Sequence, residues 1–83
     1  MTAADRLIDA GYEDVVIFEN PGYDTALIGV SEDGRAIYDY DLMIDWLKET
    51  QNFSTREAVD WIDYNTIRAL PYCEASPIIM FSV

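Results

Sequence analysis

The chain has 83 residues, about half of them hydrophobic, including two Trp, six Tyr and three Phe. This composition excludes a disordered chain and predicts one domain over residues 1–83, with a small core, since a chain of this length buries roughly 60% of its unfolded surface. Sixteen carboxylates, five basic residues and no His give a net charge of −11, which argues against binding to bare nucleic acid or anionic membranes and favours basic partners.

The first predicted elements are a short helix and a buried strand. Thr2 is a suitable N-cap and Gly11 a suitable terminator of a helix. Its apolar stripe at helical spacing consists of Ala3, Ala4, Leu7, Ile8 and Ala10. The β-branched and aromatic stretch VVIFEN at 15–20 then predicts a strand, and PGYD at 21–24 predicts a turn.

A hairpin is predicted next, from the strands TALIGV at 25–30 and RAIYDY at 35–40. A calcium loop with Gly34 at its sixth position would begin at Gly29, which has no side-chain oxygen, so SEDG at 31–34 is better explained as a type I turn followed by a left-handed glycine. This loop places Ile28 opposite Tyr38 and Val30 opposite Ala36. The expected apolar face is Ala26, Ile28, Val30, Ala36, Tyr38 and Tyr40.

Two helices follow the hairpin. The first, at about 40–51, has a core-facing stripe of Leu42, Met43, Trp46 and Leu47. The second, at about 55–69, begins with a Ser54–Glu57 capping box and the staple residue Phe53, and is expected to stop before Pro71. Apolar residues cover so much of its circumference that we expect it to be the most buried helix: Val59, Trp61, Ile62, Tyr64, Ile67, Ala69 and Leu70. Its polar positions Asn65 and Thr66 predict structural hydrogen bonds or a ligand contact, and we favour the structural role. The alternative to core packing on this helix is an aromatic-rich contact patch of Trp61, Tyr64, Arg68 and Tyr72.

The final stretch PIIMFSV at 77–83 predicts a strand in the sheet interior, paired beside the first strand. The element order is then αβββααβ. The predicted fold class is α+β, with a four-stranded, largely antiparallel sheet and three helices packed on one face.

Residues for catalysis are few. There is no His, and Lys48 is the only lysine. Cys73 has no nearby His and follows an apolar run, so we interpret that thiol as structural or incidental. The glycines Gly11, Gly22, Gly29 and Gly34 are too scattered for a phosphate loop. We therefore expect no enzyme activity, no cofactor and no metal; a convergent carboxylate pocket would revive those classes. The single cysteine, the absence of a signal peptide and the absence of a long apolar run predict a cytoplasmic protein.

The carboxylates form stripes on the predicted helices. Asp41, Asp45 and Glu49 share one face at i, i+4 and i+8, where each like-charged pair costs about 0.2–0.5 kcal/mol. Glu49 also lies in the last turn, where the helix dipole disfavours an anion. A second stripe consists of Glu57, Asp60 and Asp63. These stripes are either solvated faces of an acidic protein or a surface that docks on a basic partner.

Two resemblances bear on these alternatives. The segments DTALIGVSEDGRAIYDYDLMIDWL and AVDWIDYNTIRALPY, with PIIMF, resemble a group of short, acidic, uncharacterised proteins of bacteria and their mobile elements, which implies no assigned activity or site residues. In size and charge the chain also resembles phage-encoded inhibitors, including anti-CRISPR proteins. That second resemblance implies an inhibitor that blocks a nucleic-acid channel by presenting carboxylates.

The leading hypothesis is a non-catalytic acidic inhibitor that mimics DNA and covers a basic, nucleic-acid-binding surface on a larger protein, such as a CRISPR effector. The expected partner-binding residues are Asp41, Asp45, Glu49, Glu57, Asp60 and Asp63. The alternative is a bacterial accessory or scaffold domain that binds an ordinary protein partner, or itself, through apolar surface or a sheet edge. An exposed Trp or Tyr patch would favour this alternative. The sequence leaves monomer and homodimer equally open.

Overall fold

The computed structural model describes residues 2–18, 22–72 and 75–82. These residues form helix α1 (Ala3–Asp9), strands β1 (Leu27–Val30) and β2 (Ala36–Asp39), helices α2 (Tyr40–Thr50) and α3 (Thr55–Trp61), and strand β3 (Ile78–Met80). A 3₁₀ turn, Asp24–Ala26, precedes β1, and a π-helical segment, Ile62–Thr66, and a 3₁₀-helix, Ile67–Tyr72, follow α3. The α+β class is therefore confirmed, with a three-stranded mixed sheet instead of the predicted four strands.

Helix α1 has the predicted start and end. Thr2 accepts a hydrogen bond from the Asp5 amide at 3.2 Å, and Asp5 accepts one from the Thr2 amide at 3.2 Å, which completes a capping box. Gly11, at φ +92°, ends the helix in the left-handed region. Leu7 and Ala3 are buried, whereas Ile8 is 57% exposed, so only part of the predicted stripe contacts the core.

The predicted strand at 15–20 is wrong over residues 15–18, and residues 19–20 lie outside the description. Val15, Ile17 and the adjacent Phe18 pack against the core while Val16 is exposed, so the segment lacks the strict alternation of a strand. The Phe18 amide, however, donates to the Tyr38 hydroxyl at 3.3 Å and not to a neighbouring strand. Side-chain packing, not a hydrogen-bonded ladder, holds this segment.

The β1–β2 hairpin forms with the predicted turn and a different register. Gly34 has φ +83° and its amide donates to the Ser31 carbonyl at 3.0 Å. Val30 pairs with Ala36 as predicted, but a bulge between Leu27 and Gly29 places Leu27 opposite Tyr38. The predicted Ile28–Tyr38 pair is therefore wrong.

The bulge changes which side chains at the start of β1 face the core. Leu27 is 4% exposed, whereas Ile28, which was expected in the core, is 45% exposed. An extra residue on one strand rotates the following side chains to the opposite face. The chain thus buries the leucine and leaves an isoleucine at the surface.

Strand β3 is an edge strand, parallel to β2, and the predicted interior position beside the first strand is wrong. The sheet order is β1-β2-β3, with Ile37 opposite Ile78 and Asp39 opposite Met80. Two parallel strands require a long crossover connection, and the helices between β2 and β3 provide it. Arg35 anchors the entry to β3, since its Nε donates to the Ser76 carbonyl at 2.7 Å.

The predicted helix at 55–69 is α-helical only to Trp61. Ile62–Thr66 continues as a π-helix, in which the Ile67 amide donates to the Ile62 carbonyl five residues back. Pro71 has no amide hydrogen and would clash with the carbonyl of Ile67 in an α-helix, and from Ile67 the chain forms a 3₁₀-helix that continues past Pro71.

This region is also not the most buried one, contrary to prediction. Ala58, Ile62 and Thr66 are buried, but Trp61 is 37% and Tyr64 is 70% exposed. Helix α2 places Met43 and Leu47 in the core and leaves Leu42 at the surface. The fully buried side chains of largest volume are Tyr23, Tyr38, Met43, Leu47 and Ile62. In the described part of the chain, no helix is long and apolar enough to cross a membrane.

Candidate functional site

Helix α2 presents the first acidic stripe to solvent. The Asp39 carboxylate accepts a hydrogen bond from the Leu42 amide at 3.0 Å and so fixes the start of the helix. Met43 and Leu47 are fully buried on the core side. Because that side is fixed, Asp41, Asp45 and Glu49 are all exposed, as predicted from their spacing.

Helix α3 presents the second stripe and begins with the predicted capping box. The Glu57 amide donates to the Ser54 hydroxyl at 3.2 Å, and the Ser54 amide donates to the Glu57 carboxylate at 3.0 Å. The hydrogen bond from the Ser54 amide lowers the pKa of Glu57 below its ordinary value, and the hydrogen bond with the Ser54 side chain lowers it further. This carboxylate is therefore ionised at neutral pH.

The π-helical segment holds the next carboxylate, Asp63, on the surface. Its inner side is fixed by a buried hydrogen bond, 2.9 Å long, between the hydroxyls of Thr66 and Tyr23. On its outer side, the Asn65 amide donates to the Trp61 carbonyl at 3.2 Å. Both polar residues thus have the structural role that the sequence suggested, and segments of this type occur frequently at functional sites.

Three of the six predicted partner-binding residues converge at Tyr40. Burial raises the pKa of the Tyr40 phenol, and the negative charges of Asp63, Asp41 and Asp60 raise it further. Carboxylates from α2, from α3 and from the π-helical segment are therefore within electrostatic reach of one hydroxyl. We call Asp41, Asp60 and Asp63 the acidic corner.

The other three predicted residues are placed differently. Asp45 and Glu49 lie about 6 and 12 Å further along the α2 axis than Asp41 and extend the acidic corner along one exposed helix face. Glu57 lies one turn before Asp60 on α3, with its carboxylate hydrogen-bonded to the Ser54 amide. The second stripe is thus partly a helix cap, which the sequence also indicated.

An aromatic groove lies next to the acidic corner. Its aromatic walls are Phe53, Trp61 and Tyr64, and Glu57, Asp60 and Asp63 also line it, together with Asn65. The rings of Phe53 and Trp61 are 5.7 Å apart at an interplanar angle of 51°. The groove is open to solvent and has a volume of about 580 Å³. Asp60 and Asp63 belong to both the groove and the acidic corner.

The sequence offered two positions for Trp61 and Tyr64, the core or an aromatic contact patch, and we favoured the core, which is wrong for both residues. One signal was available: apolar residues covered nearly the whole circumference of the predicted helix, and a helix at the surface of a small domain has one side in water. Some of these side chains had to be exposed. A second missed contact is the pair Tyr40 and Phe81, whose ring centroids are 4.7 Å apart beside the acidic corner.

Three of the five basic side chains contact uncharged groups. Arg6 donates to the Asp24 carbonyl at 2.9 Å, and Arg35 donates to the carbonyl and hydroxyl of Ser76. The Arg68 guanidinium lies 4.9 Å from the centre of the Tyr64 ring. The contacts of Arg6 and Arg35 stabilise the fold, and Arg68 places a positive charge beside the ring of Tyr64.

Cys73, which the sequence suggested to be structural or incidental, lies outside the described residues. Within residues 2–18, 22–72 and 75–82, no group of three or more metal-ligating side chains is arranged to hold an ion. Comparison with protein-family models, with curated proteins and with solved structures finds no match to this chain.

Proposed function

We propose that the chain is a non-catalytic inhibitor whose acidic surface docks on a basic, nucleic-acid-binding surface of a larger protein. The observation that supports this proposal is that the exposed carboxylates Asp60 and Asp63 line one groove, and that Asp41 acts together with them on the Tyr40 phenol. Like charges gathered at one place oppose folding, because their repulsion is relieved only by solvent and salt. A cationic partner would turn the same repulsion into attraction.

The charge density is compatible with DNA mimicry on one side of the molecule. The longest dimension is 35 Å, so a net charge of −11 spread along it amounts to one charge per roughly 3.2 Å, against one per roughly 1.7 Å of duplex DNA. If the charge were evenly distributed, its linear density would therefore be about half that of duplex DNA. The acidic corner, extended by Asp45 and Glu49 along α2, concentrates the charge locally.

The partner class follows from the same charges. A basic surface that normally holds nucleic acid has the complementary potential, and electrostatic complementarity mainly accelerates association and selects partners. The resemblance in size and charge to anti-CRISPR proteins suggests a CRISPR effector as one such partner. The chain itself, with its net charge of −11, would contact neither nucleic acid nor an anionic membrane.

Affinity capture from a bacterial lysate tests this proposal. The immobilised full chain is compared with two triple variants, D41N/D60N/D63N at the acidic corner and D9N/E13Q/E32Q at exposed positions elsewhere. Each variant removes three negative charges and so changes the net charge from −11 to −8. We expect the corner variant to lose the partner and the control to retain it, and we expect added duplex DNA to compete for the captured protein. Equal capture by both variants, or a partner indifferent to DNA, would contradict the proposal.

A second candidate function has its own observations, and the first is the exposure of Trp61 and Tyr64, since an exposed Trp or Tyr patch favours this alternative. Beside the edge strand β1 lies a groove lined by Leu7, Tyr12, Leu27, Ile28 and Val30, and Tyr12 and Ile28 are 46% and 45% exposed. This surface suits a scaffold domain that binds a protein, or a second copy of itself, through apolar contacts. Sedimentation equilibrium separates the alternatives, since self-association through this groove would persist at high salt and be abolished by Ile28→Ser.

A further inference from the structure

The aromatic groove combines two features that recognise one kind of ligand. The faces of Phe53, Trp61 and Tyr64 are apolar and carry the partial negative charge of aromatic rings. Glu57, Asp60 and Asp63 contribute full negative charges to the same groove. Carboxylates repel anionic ligands and are poor neighbours for an apolar one. A flat cation is the group that both features attract.

The chain already contains one such interaction at the groove. Arg68, one helical turn after Tyr64, places its guanidinium 4.9 Å from the centre of the Tyr64 ring. This contact shows that the exposed ring, 70% accessible, is oriented to take a guanidinium. Arg68 is also a competitor, because it carries a positive charge and covers part of the Tyr64 ring.

From these observations we infer that the aromatic groove receives an arginine side chain of the basic partner. This inference rests on the proposed function, which supplies a basic partner, and adds to it the position and chemistry of one contact. A guanidinium is planar, stacks on aromatic rings and can donate two parallel hydrogen bonds to a carboxylate. The ammonium group of lysine is a compact, strongly hydrated charge that matches the aromatic walls less well.

The occupant is expected to be a side chain and not a whole peptide strand. The groove lies against α3 and the π-helical segment, away from the strands of the sheet, so main-chain pairing with an extended peptide has no template there. Its walls are side chains separated by a single helical turn, Trp61 from Glu57 and Tyr64 from Asp60. A single inserted side chain spans such a distance.

The test measures binding of three short peptides to the full chain at low ionic strength. The probes are hexa-arginine, hexa-lysine of equal charge, and hexa-citrulline, which has the shape of hexa-arginine without its charge. Binding is followed by nuclear magnetic resonance through the Trp61 indole N–H and the Tyr64 amide. We expect hexa-arginine to bind about two- to fivefold more tightly than hexa-lysine, in line with one exposed cation–π contact, and hexa-citrulline not to bind.

Two substitutions locate the preference. Tyr64→Leu should bring the affinities for hexa-arginine and hexa-lysine together, and Tyr64→Phe should restore the preference because the ring is retained. The control Tyr12→Leu removes an exposed aromatic side chain outside the groove and should change nothing. Arg68→Ala should increase the affinity for hexa-arginine, since it removes the competing guanidinium.

The outcomes separate this inference from the proposed function. Equal affinity for hexa-arginine and hexa-lysine, or a preference that survives Tyr64→Leu, would overturn the arginine groove while leaving charge-driven docking intact. Binding of neither cationic peptide at low ionic strength would overturn both. Loss of affinity in Arg68→Ala would show that Arg68 supports the groove and does not compete for it, contrary to the inference.

Discussion

The buried contact between Tyr23 and Thr66 gives the sharpest stability prediction, because it fixes the segment that carries Asp63 and Tyr64. The Tyr23 ring is fully buried, Thr66 is 7% exposed, and their hydroxyls are 2.9 Å apart. Burial raises the pKa of Tyr23, and side-chain hydrogen bonds with Thr66 and then with Trp61 oppose that rise. The phenol is therefore desolvated, and Thr66 is the first of its two side-chain partners.

Thr66→Val keeps the shape of the side chain and removes only the hydrogen-bonding group. A buried hydroxyl left without its partner costs about 1–3 kcal/mol, whereas removing both partners is nearly neutral. We therefore expect Thr66→Val to lower the free energy of unfolding by about 1–3 kcal/mol. Each kcal/mol corresponds to a decrease in Tm of about 4–8 °C for a domain of this size.

The assay is thermal and urea unfolding, followed by circular dichroism, of a double-mutant cycle. Tyr23→Phe should cost less than Thr66→Val, since the threonine hydroxyl can turn to a carbonyl of the preceding turn. The double variant Y23F/T66V should be more stable than the sum of the single losses predicts. Thr50→Val is the matched control, because its hydroxyl also donates a hydrogen bond, to the Trp46 carbonyl at 2.7 Å, but in solvent. A Thr66→Val loss no larger than that of Thr50→Val, or additive single losses, would refute the reasoning.

Three further predictions concern the cap, the turn and the charge. Glu57→Gln should be less stable than the parent chain at neutral pH. Because the folded-state pKa of Glu57 is lowered, this difference in stability is present above the unfolded-state pKa and disappears as the pH falls through the folded-state pKa. A stability difference that stays constant with pH in urea unfolding would contradict this prediction. Gly34→Ala should lower the free energy of unfolding by about 1 kcal/mol or more, whereas the control Gly29→Ala should not. An added Cβ meets nothing within 4 Å at either position, and of these two glycines only Gly34 has a positive φ. Equal losses of stability would show that backbone conformation is not the cause. Raising the NaCl concentration from low ionic strength to about 0.1 M, where the Debye length is about 10 Å, should raise Tm. The substitutions D41N/D60N/D63N should reduce that rise more than D9N/E13Q/E32Q. An unchanged Tm would mean that the carboxylates do not repel one another.

Local signals in the sequence predicted local structure well. The capping boxes at Thr2 and Ser54 and the left-handed Gly34 form as expected, because each depends on residues at most three positions apart. The exposure of the α2 stripe was also predicted, because it depends on spacing within a single helix. Its helical spacing requires Asp41, Asp45 and Glu49 to lie opposite the buried Met43 and Leu47.

Features that depend on distant residues were not predictable from the pattern. The segment at 15–18 has the β-branched and aromatic composition of a strand, but the Phe18 amide donates to the hydroxyl of Tyr38, twenty residues away. The bulge that exposes Ile28 and the parallel pairing of β3 are set by how the sheet packs on the helices, and an apolar run alone carries neither. The exposure of Tyr64 was not favoured, because α-helical spacing was extended through a segment that becomes π-helical at Ile62.

The most direct measurement is the dissociation constant of the captured partner as a function of salt concentration, for the parent chain and both triple variants. If the acidic corner is the docking surface, log Kd should rise with log salt, and this slope should decrease in D41N/D60N/D63N while D9N/E13Q/E32Q keeps a slope close to that of the parent chain. Steering by a concentrated patch, not by net charge, produces that difference between variants of equal charge. A dissociation constant independent of salt, or identical slopes in the two variants, would contradict the proposed docking surface.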